Sequence, residues 1–387
     1  MRSDTTGPPR TVDTLCVAHL IESDGPGGAE RVVAIMARTL QSAGARNVVF
    51  LPAGGEGWLA RELDGSGVAV EPFPMRRRCA PDLARSLANA FRRHGVGVAH
   101  SHEFFMALYG AWAARLARVP HVITMHGGGY YADRLRRRLA LRTACSLSAR
   151  TVAVSRPLAE TMKRYLWMAP QRIGTIPNGV AFTPAKRETL GAELGLAPDD
   201  RLLVAIGNLY PVKGHLHLVA ALGLLTRTHP RLHLAIAGRG ETLAGLEEAA
   251  REAGVSDRLH LLGLRSDTAA LLAAADIFVL PSLSEGLPLA LLEAMFAGCP
   301  IVASDVGDVG VALAQGSAGM LVPPGNPRAL AAAIETLLLN PDRARELGTR
   351  ASNRAATEYS ATAMVSRYIE LYGDLSRPRF SFASPCA

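Results

Sequence analysis

Two glutamates near the start of one predicted helix, Glu285 and Glu293, have the type and spacing to hold a sugar nucleotide. They stand eight positions apart, so at about 1.5 Å of rise per residue their anchors are separated by roughly 12 Å along the axis. Between them, Pro288 suits a first helical position, which leaves the amides of Gly286 and Leu287 able to donate to a phosphate. An ionised carboxylate repels phosphate but accepts strongly from hydroxyls. A pyrophosphate flanked by two hydroxyl-bearing groups describes a nucleotide sugar.

The elements that must position these groups form a strand, a turn, a helix and a second strand. Ile277–Leu280 is a short apolar run typical of a buried strand, and Leu287–Ala297 carries apolar residues at helical spacing. Gly298 and Pro300 end that helix before the apolar run Ile301–Ala303. This order predicts one unit of a parallel α/β sheet, in which ligands bind at the carboxyl ends of the strands.

The turn before this helix reads Ser-Glu-Gly-Leu-Pro from Ser284 to Pro288 and resembles the signature of glycosyltransferase family 4. The Thr-x-His-Gly segment ending at Gly127 and the stretch Ile173–Val180 are similar to family segments too, so the resemblance covers roughly residues 14 to 375. It implies an α/β protein of the GT-B fold, with two Rossmann-like domains facing an inter-domain cleft. It also implies sugar transfer with retention of anomeric configuration and without a bound metal. The chain has no Asp-x-Asp metal motif.

The resemblance assigns most donor contacts to the second half of the chain. Glu293 is expected to hold the ribose hydroxyls and Glu285 the transferred sugar, while Lys213 neutralises the diphosphate. Further donor contacts are expected at Gly27, Gly28, Asn208, Arg239, Leu264, Arg265, Gly286 and Leu287. No cofactor is expected, since a UDP-sugar or GDP-sugar is the donor substrate.

Asn208 departs from the family pattern. Related enzymes carry an arginine as well as a lysine at this turn, and Asn208 stands in the place of the arginine. One positive charge of the expected diphosphate clamp is therefore missing, and Arg239 is the candidate to compensate. The departure keeps a second interpretation open, namely a catalytically weak or inactive nucleotide-sugar-binding protein of the same fold.

Two histidines at predicted strand ends, His102 and His126, are the candidate acceptor contacts. His126 resembles the inter-domain histidine of the family and is also assigned a catalytic role, together with Glu285 and Lys213. Three glycines, Gly127 to Gly129, follow His126 and predict a tightly folded or mobile loop.

The predicted domain boundary follows residue 182. Residues 1–182 form the acceptor-side Rossmann-like domain, residues 183–360 form the nucleotide-sugar-binding domain, and a last helix at about 361–375 packs back on the first domain. The first half is basic, since residues 1–185 carry 24 Lys and Arg against 13 Asp and Glu.

The basic half predicts a peripheral contact with an anionic membrane. Leu135–Leu147, with leucines against an arginine-rich face, is either an interfacial amphipathic helix or an ordinary surface helix. The arginines themselves are open to the plain interpretation of solvated surface charge. Aromatic residues make up only 5% of the chain and no recognised nucleic-acid module is present, so nucleic acid is not expected as a partner.

The expected activity is that of a hexosyltransferase acting on a glycan or lipid-linked acceptor in cell-surface polysaccharide or glycoconjugate synthesis. The first residues lack an apolar signal core, which predicts a cytoplasmic protein, with the inner face of the plasma membrane as its candidate place of action. Five dispersed cysteines argue against structural zinc. A dehydrogenase is disfavoured because no acidic residue follows the second strand. A GT-B epimerase is disfavoured by the Ser-Glu-Gly-Leu-Pro turn.

Overall fold

The computed structural model describes residues 15–74, 81–127, 134–185 and 190–376. These residues form two compact units. The first takes in the described residues within Met1–Val154, Leu158–Ile176 and Ala361–Ala387, and the second those within Ser155–Pro157 and Pro177–Ser360. After the short segment Ser155–Pro157, the chain returns to the second unit at Pro177, whereas the predicted boundary follows residue 182.

The first unit contains a seven-stranded parallel sheet with strand order β3-β2-β1-β4-β5-β6-β7. Its strands are β1 (Cys16–Leu20), β2 (Arg46–Pro52), β3 (Ala69–Phe73), β4 (Val98–His102), β5 (His121–Met125), β6 (Arg150–Ala153) and β7 (Ile173–Thr175). Its helices are α1 (Gly28–Ser42), α2 (Trp58–Leu63), α3 (Pro81–His94), α4 (Phe104–Ala117), α5 (Leu135–Leu147) and α6 (Arg156–Leu166). The central strands are buried throughout, as expected where helices cover both faces of a parallel sheet.

The second unit contains a six-stranded parallel sheet with strand order β10-β9-β8-β11-β12-β13. Its strands are β8 (Arg201–Ile206), β9 (Leu232–Ala237), β10 (Leu259–Gly263), β11 (Ile277–Leu280), β12 (Ile301–Ser304) and β13 (Met320–Val322). Its helices are α7 (Leu190–Glu193), α8 (His215–Leu225), α9 (Leu243–Glu252), α10 (Thr268–Ala274), α11 (Leu289–Phe296), α12 (Val309–Ala312), α13 (Pro327–Leu339) and α14 (Pro341–Glu358). The predicted α/β architecture with two parallel sheets is confirmed.

The last helix, α15 (Ala361–Ser376), belongs to the first unit although it follows the whole second unit in sequence. Two of its tyrosines are fully buried there. The Tyr372 hydroxyl lies 2.6 Å from Nδ1 of His100, and the Tyr368 hydroxyl lies 3.0 Å from Oγ1 of Thr124. The helix thus supplies hydrogen-bond partners to polar side chains of β4 and β5.

The place of Pro288 at the start of α11 differs from the prediction. Pro288 is the N-cap of α11, with extended backbone angles, and not its first helical residue as predicted. Both positions tolerate a residue without an amide proton, so the sequence could not separate them.

The glycines after Gly127, the arginines at 76–78 and the tail after residue 376 lie outside the described residues. Among the described residues, no helix combines the length and apolarity that a membrane crossing needs.

Close packing of α4 on the sheet requires a glycine at position 110. A Cβ atom built on Gly110 would lie 2.0 Å from Oγ of Ser101 and 2.8 Å from Nε2 of His121. A Cβ atom built on Gly373, in α15 of the same unit, would have no other atom within 4 Å beyond its own stretch of helix.

We expect Gly110→Ala to lower the free energy of unfolding of the first unit by about 1–3 kcal/mol, because the clash outweighs the higher helix propensity of alanine. The matched change Gly373→Ala should be neutral or stabilising by up to about 1 kcal/mol. All three tryptophans of the chain lie in this unit, so tryptophan fluorescence in a urea titration measures it selectively. Equal effects of the two substitutions would contradict the prediction.

Candidate functional site

The donor-side site is the group of residues at the carboxyl ends of β8 and β11, which are neighbouring strands. Nζ of Lys213 lies 2.7 Å from Oε1 of Glu285, and Oγ of Ser282 donates to the same oxygen at 2.7 Å. The Glu285 side chain is 9% exposed and that of Lys213 is 26% exposed. A largely buried carboxylate is thus held by one cation and one hydroxyl, as a charge in this position must be.

Gly214 allows the two strand ends to meet. Its φ of 67° lies in the left-handed region, and a Cβ there would stand 2.1 Å from the carbonyl oxygen of Pro281. The amide of Leu283 also donates to the carbonyl of Val212 at 2.8 Å. The turn that carries Lys213 is therefore bound directly to the turn that carries Ser282 and Glu285.

The Glu285–Leu287 turn is fixed through its carbonyl groups. Nδ2 of Asn178 donates to the carbonyl of Leu287 at 3.0 Å, and the amide of Asp308 donates to that of Gly286 at 2.9 Å. Within the residues that the structure describes, no backbone hydrogen bond takes up the amides of Gly286 and Leu287. This leaves the two amides as candidate donors to a bound anion.

Glu293 is buried in α11, with 6% of its surface exposed. Glu293 is therefore not a solvated surface glutamate. A buried carboxyl group requires polar partners, and the ribose contact at Glu293, on the helix that follows the Glu285–Leu287 turn, stays a prediction.

The loops carrying Asn208 and Arg239 are in contact. The amide of Leu209 donates to the carbonyl of Arg239 at 2.8 Å, and a Cβ on Gly238 would meet the carbonyl oxygen of Gly207 at 1.9 Å. The Arg239 residue itself is exposed. The loop of Arg239 therefore contacts the loop in which Asn208 replaces the arginine of the family pattern.

The predicted base contact is at Leu264 and Arg265. Leu264 is 53% exposed. The guanidinium of Arg265 is engaged by Asp267 and Glu193, with Nε to Asp267 Oδ1 at 2.8 Å. Because those two carboxylates hold the Arg265 side chain, a ligand at this turn would contact backbone groups.

Gly27 and Gly28 begin α1 in the first unit. A Cβ on Gly27 would stand 2.3 Å from Oε2 of Glu30, so a carboxylate already lies against this helix start. Carboxylates favour helix N-termini for the same reason as phosphates do. The donor contact at these glycines stays a prediction.

The acceptor candidates of the first unit are in contact with each other. Nδ1 of His102 lies 3.1 Å from Nε2 of His126, and the rings are stacked with centroids 5.4 Å apart. Burial lowers the pKa of His126 to about 4 and that of His102 well below its usual value, so both imidazoles are neutral near pH 7. Neutral imidazole both donates and accepts, which suits a sugar hydroxyl.

Sequence reasoning missed Glu103 as a member of this group. Its Oε1 accepts from the amide of His126 at 3.2 Å, and burial, helped by the charge of Glu22, raises its pKa to about 8. Its backbone has φ 67° and ψ −175°, which a non-glycine residue rarely adopts. A strained, largely protonated carboxyl group beside His126 has the marks of a functional residue. The position directly after His102 was the available signal.

Seven of the predicted site residues fall into two groups. Lys213, Glu285, Gly286, Leu287 and Glu293 lie together in the second unit. His102 and His126 lie together in the first. Asn178, Ser282 and Glu103 join these groups through hydrogen bonds that the sequence pattern does not indicate.

Residues 186–354 match the family model for glycosyl transferases group 1, and residues 26–183 match the model for glycosyltransferase family 4. The chain is 31% identical to the alpha-maltose-1-phosphate synthase of Mycolicibacterium smegmatis over 313 residues, which cover 72% of this chain and 79% of the relative.

Two further similarities concern one sequence and one solved structure. The chain is 32% identical over 235 residues to the UDP-Gal:alpha-D-GlcNAc-diphosphoundecaprenol alpha-1,3-galactosyltransferase of Escherichia coli, covering 57% of this chain and 61% of the relative. The crystal structure of Anabaena HepE in complex with UDP-glucose aligns with a TM-score of 0.81 at 23% identity. That alignment covers 93% of this chain and all of the other. At this level of identity the structure supports the fold, which is GT-B as expected from the sequence.

His215 makes the donor-side unit sensitive to acid. It begins α8 directly after Gly214, and burial lowers its pKa to about 4. Since the unfolded chain then binds a proton that the folded unit does not, stability contributed near pH 7 is lost as pH falls below about 6.5.

We expect the wild-type second unit to lose about 2 kcal/mol between pH 7 and pH 5 relative to a His215→Phe variant, which keeps a ring but cannot titrate. Urea unfolding followed by far-ultraviolet circular dichroism at the two pH values gives this difference. Parallel pH dependences of the two proteins would refute it.

Proposed function

Because this chain belongs to group 1 of glycosyltransferase family 4, we propose that it transfers a hexose from a nucleotide-diphosphate sugar to a glycan or lipid-linked acceptor. The family makes it a glycosyltransferase that uses a nucleotide sugar. Retention of anomeric configuration, the acceptor class and a place in polysaccharide or glycoconjugate synthesis belong to the proposal. The diphosphoundecaprenol acceptor in the name of the Escherichia coli relative supports a lipid-linked acceptor.

The observation that carries the proposal is the contact of Lys213, Ser282 and Glu285. A lysine and a carboxylate beside two available amides form a place where an anion and a hydroxyl can bind next to each other. The arriving diphosphate attracts Lys213, while Glu285 remains bonded to Ser282 and accepts from a hydroxyl of the transferred sugar. The amides of Gly286 and Leu287 add preorganised donors for the charge of the leaving diphosphate.

The remaining donor groups extend this arrangement. Glu293 takes the ribose hydroxyls, the Leu264–Arg265 turn holds the base, and Arg239 supplies the charge that Asn208 lacks. The UDP-glucose complex of Anabaena HepE supports a UDP-sugar as donor, with a GDP-sugar as the alternative. No metal is assigned to the diphosphate.

In the proposed reaction, the bond between the anomeric carbon and the leaving phosphate oxygen breaks. The acceptor oxygen bonds to that carbon on the same face of the ring. The acceptor proton passes to the leaving phosphate oxygen, so no side chain has to act as base. His126 and His102 orient the acceptor as neutral hydrogen-bonding groups.

The alternative is a nucleotide-sugar-binding protein with weak or no transferase activity, and Asn208 favours it. Donor binding without turnover across a panel of glycan and lipid-linked acceptors would select this alternative. Restoration of turnover by Asn208→Arg would identify the missing charge as the cause.

A membrane contact is proposed for the first unit. The side chains of Leu135 and Leu139 on α5 are 60% and 48% exposed, and Trp167 is 52% exposed. Arg142 donates to the carbonyl of Trp167 at 2.9 Å and so holds it near α5. Apolar groups among arginines fit an anionic lipid surface, which supports the inner face of the plasma membrane as the proposed place of the reaction.

We expect Lys213→Ala and Glu293→Gln each to slow nucleotide release from a matched donor at least about tenfold, or about 1.4 kcal/mol, because each removes one donor contact. Lys163→Ala is the matched control, since Lys163 pairs with Glu160 on α6 of the first unit. Glu293→Gln should also cancel the affinity difference between UDP and its dideoxyribose analogue. Wild-type rates would refute the assignment.

We expect Leu135→Ser combined with Leu139→Ser to weaken binding to vesicles that contain anionic phospholipid, without changing the transfer rate to a water-soluble acceptor. Binding should weaken because both leucines are exposed, and the transfer rate should not change because they belong to the first unit, whereas the donor-side turn belongs to the second. Vesicle cosedimentation at low salt and at about 0.5 M salt separates the apolar contribution to binding from the electrostatic one, since salt screens the arginines. Unchanged cosedimentation would exclude this surface.

A further inference from the structure

Three histidines of the first unit meet on one face of its sheet. The register pairs His19 of β1 with His100 of β4, and His102 lies two residues further along β4 on the same face. All three are fully buried, and each offers a ring nitrogen within 4.8 Å of those of the others. The ring centroids of His100 and His102 are 4.2 Å apart.

Several of these buried nitrogens have no hydrogen-bond partner in the part of the chain that the structure describes. They are both ring nitrogens of His19 and Nε2 of His102. The side-chain amide of Asn47 donates to oxygens of Ala37, Gln41 and Ala45. A buried polar atom left without a partner costs about 1–3 kcal/mol, so several of them in one place indicate a missing ligand.

The neighbours of the three rings are arranged as the outer partners of a metal site. If Nδ1 of His102 donates to Nε2 of His126, its Nε2 presents a lone pair to the cluster. His100 lies between two hydroxyls, Tyr372 at Nδ1 and Thr124 at Nε2, and can keep one of them while its other nitrogen binds an ion. Histidine ligands commonly have such a second partner, which fixes the tautomer.

We propose that the first unit binds one divalent ion of the zinc, cobalt or nickel type through His19, His100 and His102. Neutral imidazoles suit these ions, whereas magnesium and calcium require oxygen ligands. Zinc–nitrogen bonds of about 2.0–2.1 Å put tetrahedral ligands roughly 3.3 Å apart, so the rings close in by at most about 1.5 Å. Three protein ligands leave a position for water.

This site is separate from the donor chemistry, and the transfer proposed above does not require it. One of its ligands, His102, is also an acceptor candidate, and Nδ1 of His102 lies 3.1 Å from Nε2 of the other acceptor candidate, His126. An ion there holds His102 in one tautomer and so fixes how His126 presents its hydrogen bonds. A metal ion bound at this site therefore acts on the acceptor candidates and not on the donor contacts.

Cobalt binding to metal-free protein without a histidine tag tests the proposal, because tetrahedral Co²⁺ with nitrogen ligands absorbs in the visible range. We expect one equivalent to produce these bands, and His19→Asn or His102→Gln to weaken binding at least tenfold. A rival pair, His233 and His260, lies in the second unit with Asp200 3.7 Å from His233. The control variant His260→Asn should keep the bands unchanged.

A second readout does not depend on the cluster variants folding. Zn²⁺ should raise the unfolding midpoint reported by tryptophan fluorescence, since all three tryptophans lie in the first unit, and should do so equally in the wild type and His260→Asn. Absence of cobalt bands in the wild type would overturn the proposal. So would loss of the bands in His260→Asn or their persistence in a folded His19→Asn protein.

Discussion

The ion pair between Lys213 and Glu285 is the interaction on which the second unit's chemistry depends. It joins the turns after two neighbouring strands, and its carboxylate is largely withdrawn from water. Removing one partner of such a pair leaves the other charge uncompensated, at a cost of about 3–5 kcal/mol for a fully buried pair. The surrounding sequence respects this, since Gly214 lets the turns approach and Ser282 supplies the second bond to the carboxylate. A ligand that attracts the lysine therefore finds the glutamate already held in place.

The first unit differs because it buries several imidazoles, whose desolvation costs more free energy than that of aliphatic side chains. His100 and His121 satisfy both ring nitrogens with hydroxyls, from Tyr372 and Thr124 in one case and from Ser101 and Ser148 in the other. A polar network of this kind is stable only when every member has a partner. Among the described residues, His19 and His102 keep ring nitrogens without partners, and they lie with His100 on one face of the sheet, where a bound group can complete them.

The sequence predicted well what depends on local periodicity. The strand Ile277–Leu280 and the helix Leu135–Leu147 have the predicted bounds, because an apolar run or a helical repeat declares itself within a dozen residues. The sequence did not indicate that Asn178 holds the carbonyl of Leu287, or that His19 lies beside His100. Those contacts join residues far apart in the chain, and they follow from strand order and side-chain packing, which no short pattern encodes.

The return of α15 to the first unit has a consequence for how the protein is made. On the ribosome, β1 to β7 emerge early, but Tyr368 and Tyr372 are translated only after the entire second unit. Until then Thr124 and His100 lack the phenol groups that they bond to in the finished protein. The second unit can complete its own core during synthesis, whereas the first stays unfinished until α15 has been translated. Biogenesis thus runs counter to sequence order, and the N-terminal half matures last.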